Sequence, residues 1–457
     1  PFSIALDQRR FVYATGFATM ANLPVSVNAL QPSASGISAE QASAFLFVLN
    51  SYGDNFVYST YVNGNNDDIA YSVAIRNQIV YIGGKTCSND LITTPDSYQP
   101  TKISNDPDGF VLGINNTTWQ LIFSSYLGGS YPDFIYDITT DNEGNLYTCG
   151  FSYGNFPITA NAIFTNKLDN QFPSVVISKL NAHAGYLYSS SYFAPESYCS
   201  ANSIRIDTAG SVWICGKAEM RNNIPFTSTA NSYNRFFIGE FDCFAAKFNS
   251  SLTALEYSTL FGGTGFESAR RIAIDKQNNV YFVGATQSVD FPTLPSNLNA
   301  SRPLQNGFVA VCNSDTKLFF YIDCYGGSDY DLISDIVAQN ENHFYVVGQT
   351  YSSDLNMKPG ALDPTMNGLN DAFIVKMILF PAADIVGGLL SHWNFDSYPY
   401  FCQGMLPLEF TPNSTIRQPA GRVNCAIENT GNVITGEGVS NLYSTNGFTW
   451  SIWFNSN

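Results

Sequence analysis

The chain has 457 residues, 45% of them hydrophobic and 15% aromatic, which is ample material for a large core. Charged residues make up only 13%, about half the usual ~25%, and 21 basic against 37 acidic positions leave a formal net charge of −16. That balance excludes nucleic acid and anionic membrane surfaces as partners, because both need clustered Lys and Arg, and it leaves a surface built from Ser, Thr, Asn and Tyr, as expected of a secreted or cell-surface β protein.

Residues 1–380 carry one pattern six times. Its closing glycine falls at Gly16, Gly84, Gly150, Gly216, Gly284 and Gly348, a period of about 66 residues. The modules run approximately 1–68, 69–130, 131–197, 198–264, 265–328 and 329–380. In each, a short apolar segment such as Arg271-Ile-Ala-Ile274 is followed by a polar turn and then by a β-branched and aromatic run such as Val280-Tyr-Phe-Val283, which predicts a hairpin. The glycine after the second strand marks a backbone bend or a close approach that leaves no room for a Cβ. Next comes a loop of roughly 20 residues carrying an acid or amide, an apolar residue and often proline. Examples are Asn22-Leu-Pro24, Asn155-Phe-Pro157, Asn223-Ile-Pro225 and Asp290-Phe-Pro292, with Asp90-Leu91 and Asp354-Leu355 as shorter versions. A fixed proline predicts a packed connection. A third strand ends on asparagine in five modules, at Asn50, Asn115, Asn181, Asn249 and Asn313, where the residue is expected to take the left-handed conformation of the turn. The fourth strand closes the module, as in Phe123-Ser-Ser-Tyr-Leu-Gly-Gly129.

Four antiparallel strands in each of six modules predict an all-β protein, a six-bladed β-propeller, since a four-stranded blade needs a neighbour on each face and a closed ring supplies both. The three signatures in register resemble the extracellular β-propeller repeat family labelled SBBP over about residues 1–380. The resemblance implies a secreted or surface-exposed propeller and transfers no catalytic residue. Module 2 is one residue short in its first turn, Ile75-Arg-Asn-Gln-Ile79, and module 6 lacks a recognisable fourth strand. The missing strand has three possible sources: residues upstream of Pro1, the segment 379–389, or a neighbouring molecule. The chain opens without Met or a signal peptide and stops inside a second domain, so it is expected to be a piece of something longer.

The propeller is expected to span 1–385. The apolar run from Ala372 to Leu390 is interrupted by Lys376, Pro381 and Asp384 and reads as a last strand and a linker, with no membrane span. In 386–457, Leu389-Leu-Ser-His-Trp-Asn-Phe-Asp396 and Phe448-Thr-Trp-Ser-Ile-Trp-Phe454 resemble the opening strands of a laminin-G or concanavalin-like jelly roll, which implies a partial β-sandwich and a fold that binds carbohydrate or protein in many relatives.

None of the nine cysteines forms a C-x-x-C pair, so no zinc or redox motif is present. Cys149 and Cys215 stand where other modules have Val283 and Val347 and are expected to pack as small apolar residues, while Cys402 and Cys425 form a candidate disulfide. Sequons at Asn115, Asn116, Asn249, Asn299 and Asn413 are candidate glycosylation sites. The histidines, His183, His343 and His392, suggest no base and nucleophile pair. Arg76, Arg205 and Arg271 lie in or beside first strands facing the central channel, where an anion site is conceivable, but no acid accompanies them in the sequence. The acidic turns, such as Asp141–Asn145, read as ordinary turns ahead of calcium sites. No catalytic residue, metal or cofactor is therefore expected. The leading expectation is a non-enzymatic extracellular scaffold or adhesion protein that self-associates or joins neighbouring subunits, such as those of a surface filament, sheath or flagellar-hair-like appendage. The alternatives are a carbohydrate-binding surface protein and a polysaccharide-active enzyme using the channel.

Overall fold

A computed structural model describes residues 1–379 apart from 20–22, 35–40, 168–169, 221–224, 295–303, 340–342, 358–360, 362, 364 and 367, and, beyond 379, the backbone of six short strands. Residues 1–379 and 380–457 are two separate compact units.

The first unit is a six-bladed, all-β propeller, and no helix occurs among its described residues. Blade 1 holds Ser3–Leu6 (β1), Val12–Ala18 (β2), Ser43–Leu49 (β3) and Phe56–Val62 (β4), and blade 2 holds Asp68–Arg76 (β5), Ile79–Thr86 (β6), Asp108–Asn115 (β7) and Leu121–Leu127 (β8). Blade 3 holds Asp133–Thr140 (β9), Leu146–Ser152 (β10), Ser174–Leu180 (β11) and Leu187–Phe193 (β12), and blade 4 holds Tyr198–Ile206 (β13), Val212–Glu219 (β14), Phe241–Phe248 (β15) and Leu255–Phe261 (β16). Blade 5 holds Glu267–Ile274 (β17), Asn279–Thr286 (β18), Asn306–Asn313 (β19) and Phe319–Tyr325 (β20), and blade 6 holds Asp331–Ala338 (β21), His343–Thr350 (β22) and Asp371–Ile378 (β23). Every blade pairs its strands antiparallel in chain order, with four strands in blades 1–5 and three in blade 6 among the described residues. The first strands β1, β5, β9, β13, β17 and β21 adjoin one another in succession and so line the axis. The apolar residues form five clusters, each between consecutive blades from 1 to 6. This is the expected solution for sheets that are apolar on both faces.

The first strands of blades 2–6 each skip one residue against their partners, between Ala70 and Ser72, Ile135 and Asp137, Ala201 and Ser203, Ala269 and Arg271, and Ile333 and Asp335. This bulge explains the recurring glycine. A Cβ on Gly150 would lie 1.8 Å from the Phe134 carbonyl oxygen, and the same clash recurs at Gly84, Gly216, Gly284 and Gly348.

The other two signatures are parts of one contact. The second glycine of the turn after the fourth strand donates its N–H to the acid that opens the next blade: Gly129 to Asp133 at 2.6 Å, Gly263 to Glu267 at 2.9 Å and Gly327 to Asp331 at 2.6 Å. Just beyond, the N–H of Thr264 donates to Asp290 and that of Ser328 to Asp354, so the loop acid holds the same turn from its other side. The apolar residue after it, Leu91, Phe156 or Phe291, is 4% exposed. The proline-marked loops at Phe156 and Phe291 are packed, as predicted, whereas in the loop of blade 1 Leu23 is only half-buried.

The asparagine expectation needs correction. Asn50, Asn115, Asn181, Asn249 and Asn313 do not have positive φ, and the left-handed residues of these turns are Gly53, Trp119, Ala184, Leu252 and Lys317. The asparagine works instead through its side chain, whose Oδ1 accepts backbone N–H groups of the turn, as from Thr117 and Thr118 at 2.8 Å into Asn115. The shortened turn of module 2 is a two-residue hairpin with Asn77 and Gln78 at φ of 48° and 65°.

In the second unit Ser391–Asn394 (β24) pairs with Phe401–Gly404 (β25), Val423–Cys425 (β26) with Ile452–Phe454 (β29), and Ile427–Asn429 (β27) with Asn432–Ile434 (β28). The side chains of Cys402 and Cys425, like Asn299, Asn413 and His392, lie outside the described residues.

Candidate functional site: the channel lining

The residue that follows the bulge in blades 2–6 comes to the axis, as does Ser3 at the same place in the unbulged first strand of blade 1, and all six are polar: Ser3, Ser72, Asp137, Ser203, Arg271 and Asp335. Four of these side chains reach forward and accept the N–H of the next blade. Ser3 Oγ accepts from Val73 at 3.3 Å, Ser72 Oγ from Ile138 at 3.3 Å, Asp137 Oδ2 from Ile204 at 3.0 Å and Ser203 Oγ from Ile272 at 3.2 Å. Arg271 has no acceptor for such a bond. There Asp335 Oδ1 takes the Ile336 N–H itself at 2.8 Å, while Arg271 donates to the carbonyls of Asn202 at 3.1 Å and Phe2 at 3.5 Å, tying blade 5 to blades 4 and 1.

Asp137 is the centre of this lining. Ser72 and Ser203 donate to it at 2.6 and 2.8 Å, and Arg205 Nη1 at 2.7 Å. Its side chain is 3% exposed, and that of Arg205 is 35% exposed. Burial alone would raise the Asp137 pKa, but Arg205 and Arg271, together with the hydrogen bonds from Ser72 and Ile204, hold it below the ordinary carboxylate value. Burial likewise opposes the charge on Arg205, and Asp137 and Asp335 more than restore it. The sequence reading that no acid accompanies the arginines is therefore wrong. The acid sits one blade earlier, about 68 residues away in the chain. Arg76 lies apart, hydrogen-bonded to Asn142.

A carboxylate held ionised and filled with donors cannot take a proton from a substrate, so Asp137 is poorly suited to act as a base. At one end the channel opens into a cavity of about 690 Å³ lined by Arg76, Asn142, Lys276 and the turn acids Asp141, Asp207 and Asp275. The turn acids cap their own turns: Asp141 Oδ1 accepts from Glu143 and Asn145, and Asp275 Oδ1 from Gln277 and Asn279. Asp207 also pairs with the buried Lys247 at 2.9 Å. Among the described residues, no three His, Cys, Asp or Glu side chains gather where they could hold a metal ion.

Cys149 and Cys215 are buried in the cores between blades, where burial pushes both thiols up. His183 lies exposed in the turn between β11 and β12, and His343 opens β22. Of the described sequons, Asn116 is 7% exposed, whereas Asn115 and Asn249 are half-buried with their Oδ1 atoms committed to turns.

A family model described as a beta-propeller repeat, SBBP, matches residues 122–157. No curated protein matches the chain. Among solved structures, the chain is similar to hydrazine synthase of Kuenenia stuttgartiensis, with 8% identity, TM-score 0.41, and coverage of 76% of this chain and 75% of that one. It is similar to a Dyadobacter fermentans protein of unknown function, with 12% identity, TM-score 0.38, and coverage of 82% and 94%. It is also similar to NanB sialidase of Streptococcus pneumoniae, with 8% identity, TM-score 0.42, and coverage of 77% and 65%.

Proposed function

We propose that the chain is a non-enzymatic structural scaffold of an extracellular or cell-surface assembly, self-associating or packing against neighbouring subunits, as in a filament, sheath or flagellar-hair-like appendage. The commitment of the axial side chains carries this reading: the position where a propeller would present chemistry is spent on bonds from one blade to the next. A low share of charged residues supports it, because uncharged polar faces pack laterally with few ions to desolvate, and the extracellular setting rests on the SBBP repeat. Electron microscopy of the purified chain at micromolar concentration tests it. End-to-end or lateral arrays are expected, and a field of single separate particles would contradict it.

One observation favours carbohydrate binding as a second reading. Tyr186 and Tyr188 are exposed with ring centroids 5.2 Å apart, beside a cavity of about 220 Å³ lined by Tyr188, Asn145, Asn161, Lys179 and Ser251. Aromatic faces with amides alongside suit a sugar ring, and the laminin-G-like resemblance of 386–457 points the same way. A glycan array probed with the chain and with Tyr188→Ala separates this from a purely structural role.

A further inference from the structure

The interface between blades repeats five times within the chain, and its two halves recur once more with no partner among the described residues. On the forward face of blade 5, Ala273, Val283 and Val309 pack against blade 6. The same positions of blade 6, by register, are Val337, Val347 and Ile374. Val309 is 1% exposed and Ile374 74%, while Ala273 is 9% exposed and Val337 64%. Blade 1 shows the complementary face uncovered. Ile4 occupies the place of Ile336, Ile272, Ile204, Ile138 and Val73, each buried against the preceding blade, yet it is 64% exposed against 5% for Ile336. Leu6 and Phe56 are exposed on that same face beside Phe47, whose ring lies 5.8 Å from that of Phe56. Contiguous apolar faces of this kind mark interaction surfaces.

We propose that these faces are the two halves of one contact between copies of this chain, blade 6 of one molecule packing against blade 1 of the next. The occupant follows from continuity with the existing interface. In the five internal contacts, the face built like that of blade 6 receives a β-branched residue from the first strand of the following blade, and Ile4 is the residue at that place left exposed. The contact joins unlike surfaces, so it propagates from copy to copy and yields a filament, or a closed ring if the rotation allows. This inference rests on the scaffold reading and names its surface.

Two single variants of the full chain, Ile4→Cys and Ile374→Cys, are prepared separately, mixed, and treated with a short bismaleimide. A covalent dimer is expected in the mixture and not in either variant alone, which controls for the half-buried Cys87. The double variant should form a ladder of multiples. A double variant that instead links only within one chain would show that each ring closes on itself and would overturn the proposal, as would the absence of any product. In parallel, Ile374→Asp should weaken assembly at least tenfold while leaving the melting temperature unchanged. If the unmodified chain assembles and Ile374→Asp assembles equally, the seam is refuted and the scaffold reading stands. If the unmodified chain never assembles, both fall.

Discussion

Replacing Asp108 by Asn should make the protein more stable at neutral pH, although it removes an acid from the interior. Asp108 opens β7 and Asp133 opens β9 in the next blade, and the two flank Gly128, whose Cβ position lies 2.7 Å from Asp108 Cγ and 2.9 Å from Asp133 Oδ2. Asp133 Oδ2 is satisfied by the Gly129 N–H, but neither Asp108 oxygen makes a well-formed hydrogen bond. Burial raises the Asp108 pKa to about 7, with nearby Lys102 offsetting part of the effect and Asp106 adding to it, and burial holds Asp133 well above its ordinary value. An unfolded Asp titrates near ~3.9, so the folded state keeps a proton that the unfolded state releases. Stability from this group is fully present below about pH 4 and is lost as pH rises towards 7. At about 1.4 kcal/mol per pH unit, three units amount to about 4 kcal/mol by pH 7. Blade 5 supplies an internal precedent, since Asn306 stands at the position of Asp108 and faces Asp331 across Gly326. Melting curves from pH 4.5 to 8 are the assay. Asp108→Asn should raise the midpoint by several degrees at pH 7.5, with the difference shrinking towards pH 4.5. Asp68 and Asp242, both raised to about 6 by burial, should leave the variant some residual fall in stability as pH rises. A variant less stable than the parent at pH 7.5 would refute the reasoning.

Asp137→Ala should cost about 3 kcal/mol by stranding Arg205 and two serine hydroxyls, and Arg205→Met in the same background should recover part of that loss in denaturant titrations. Gly150→Ala should cost 3 kcal/mol or more and lower soluble yield, because the new methyl meets a carbonyl oxygen. Gly53→Ala, with φ of 74° and open space around it, should cost only about 1 kcal/mol. In a secreting eukaryotic host, intact-mass mapping should find glycan at Asn249 and none at Asn116, whose 7% exposure leaves no path for a sugar.

The blade architecture was readable because the repeat puts the same physics in register six times. The glycines at Gly84 to Gly348 implied a close approach, and the structure supplies its partner, the carbonyl exposed by the bulge. The turn asparagines were misread because sequence alone does not separate a residue that adopts a left-handed backbone from one whose side chain caps a turn made left-handed three or four residues later. The channel lining was visible in principle, since Ser3, Asp137, Ser203, Arg271 and Asp335 each stand thirteen residues before the module glycine. Its pairing was not, because Asp137 meets Arg205 and Ser72 only once consecutive blades curve around the axis, and no local spacing encodes that approach.

Light scattering across a concentration series, on the unmodified chain and on Ile374→Asp, tests the scaffold account most directly. A particle mass that climbs with concentration from the 50.1 kDa of one chain, and stays near that value in the variant, is the predicted result. A mass fixed at one chain in both would contradict it.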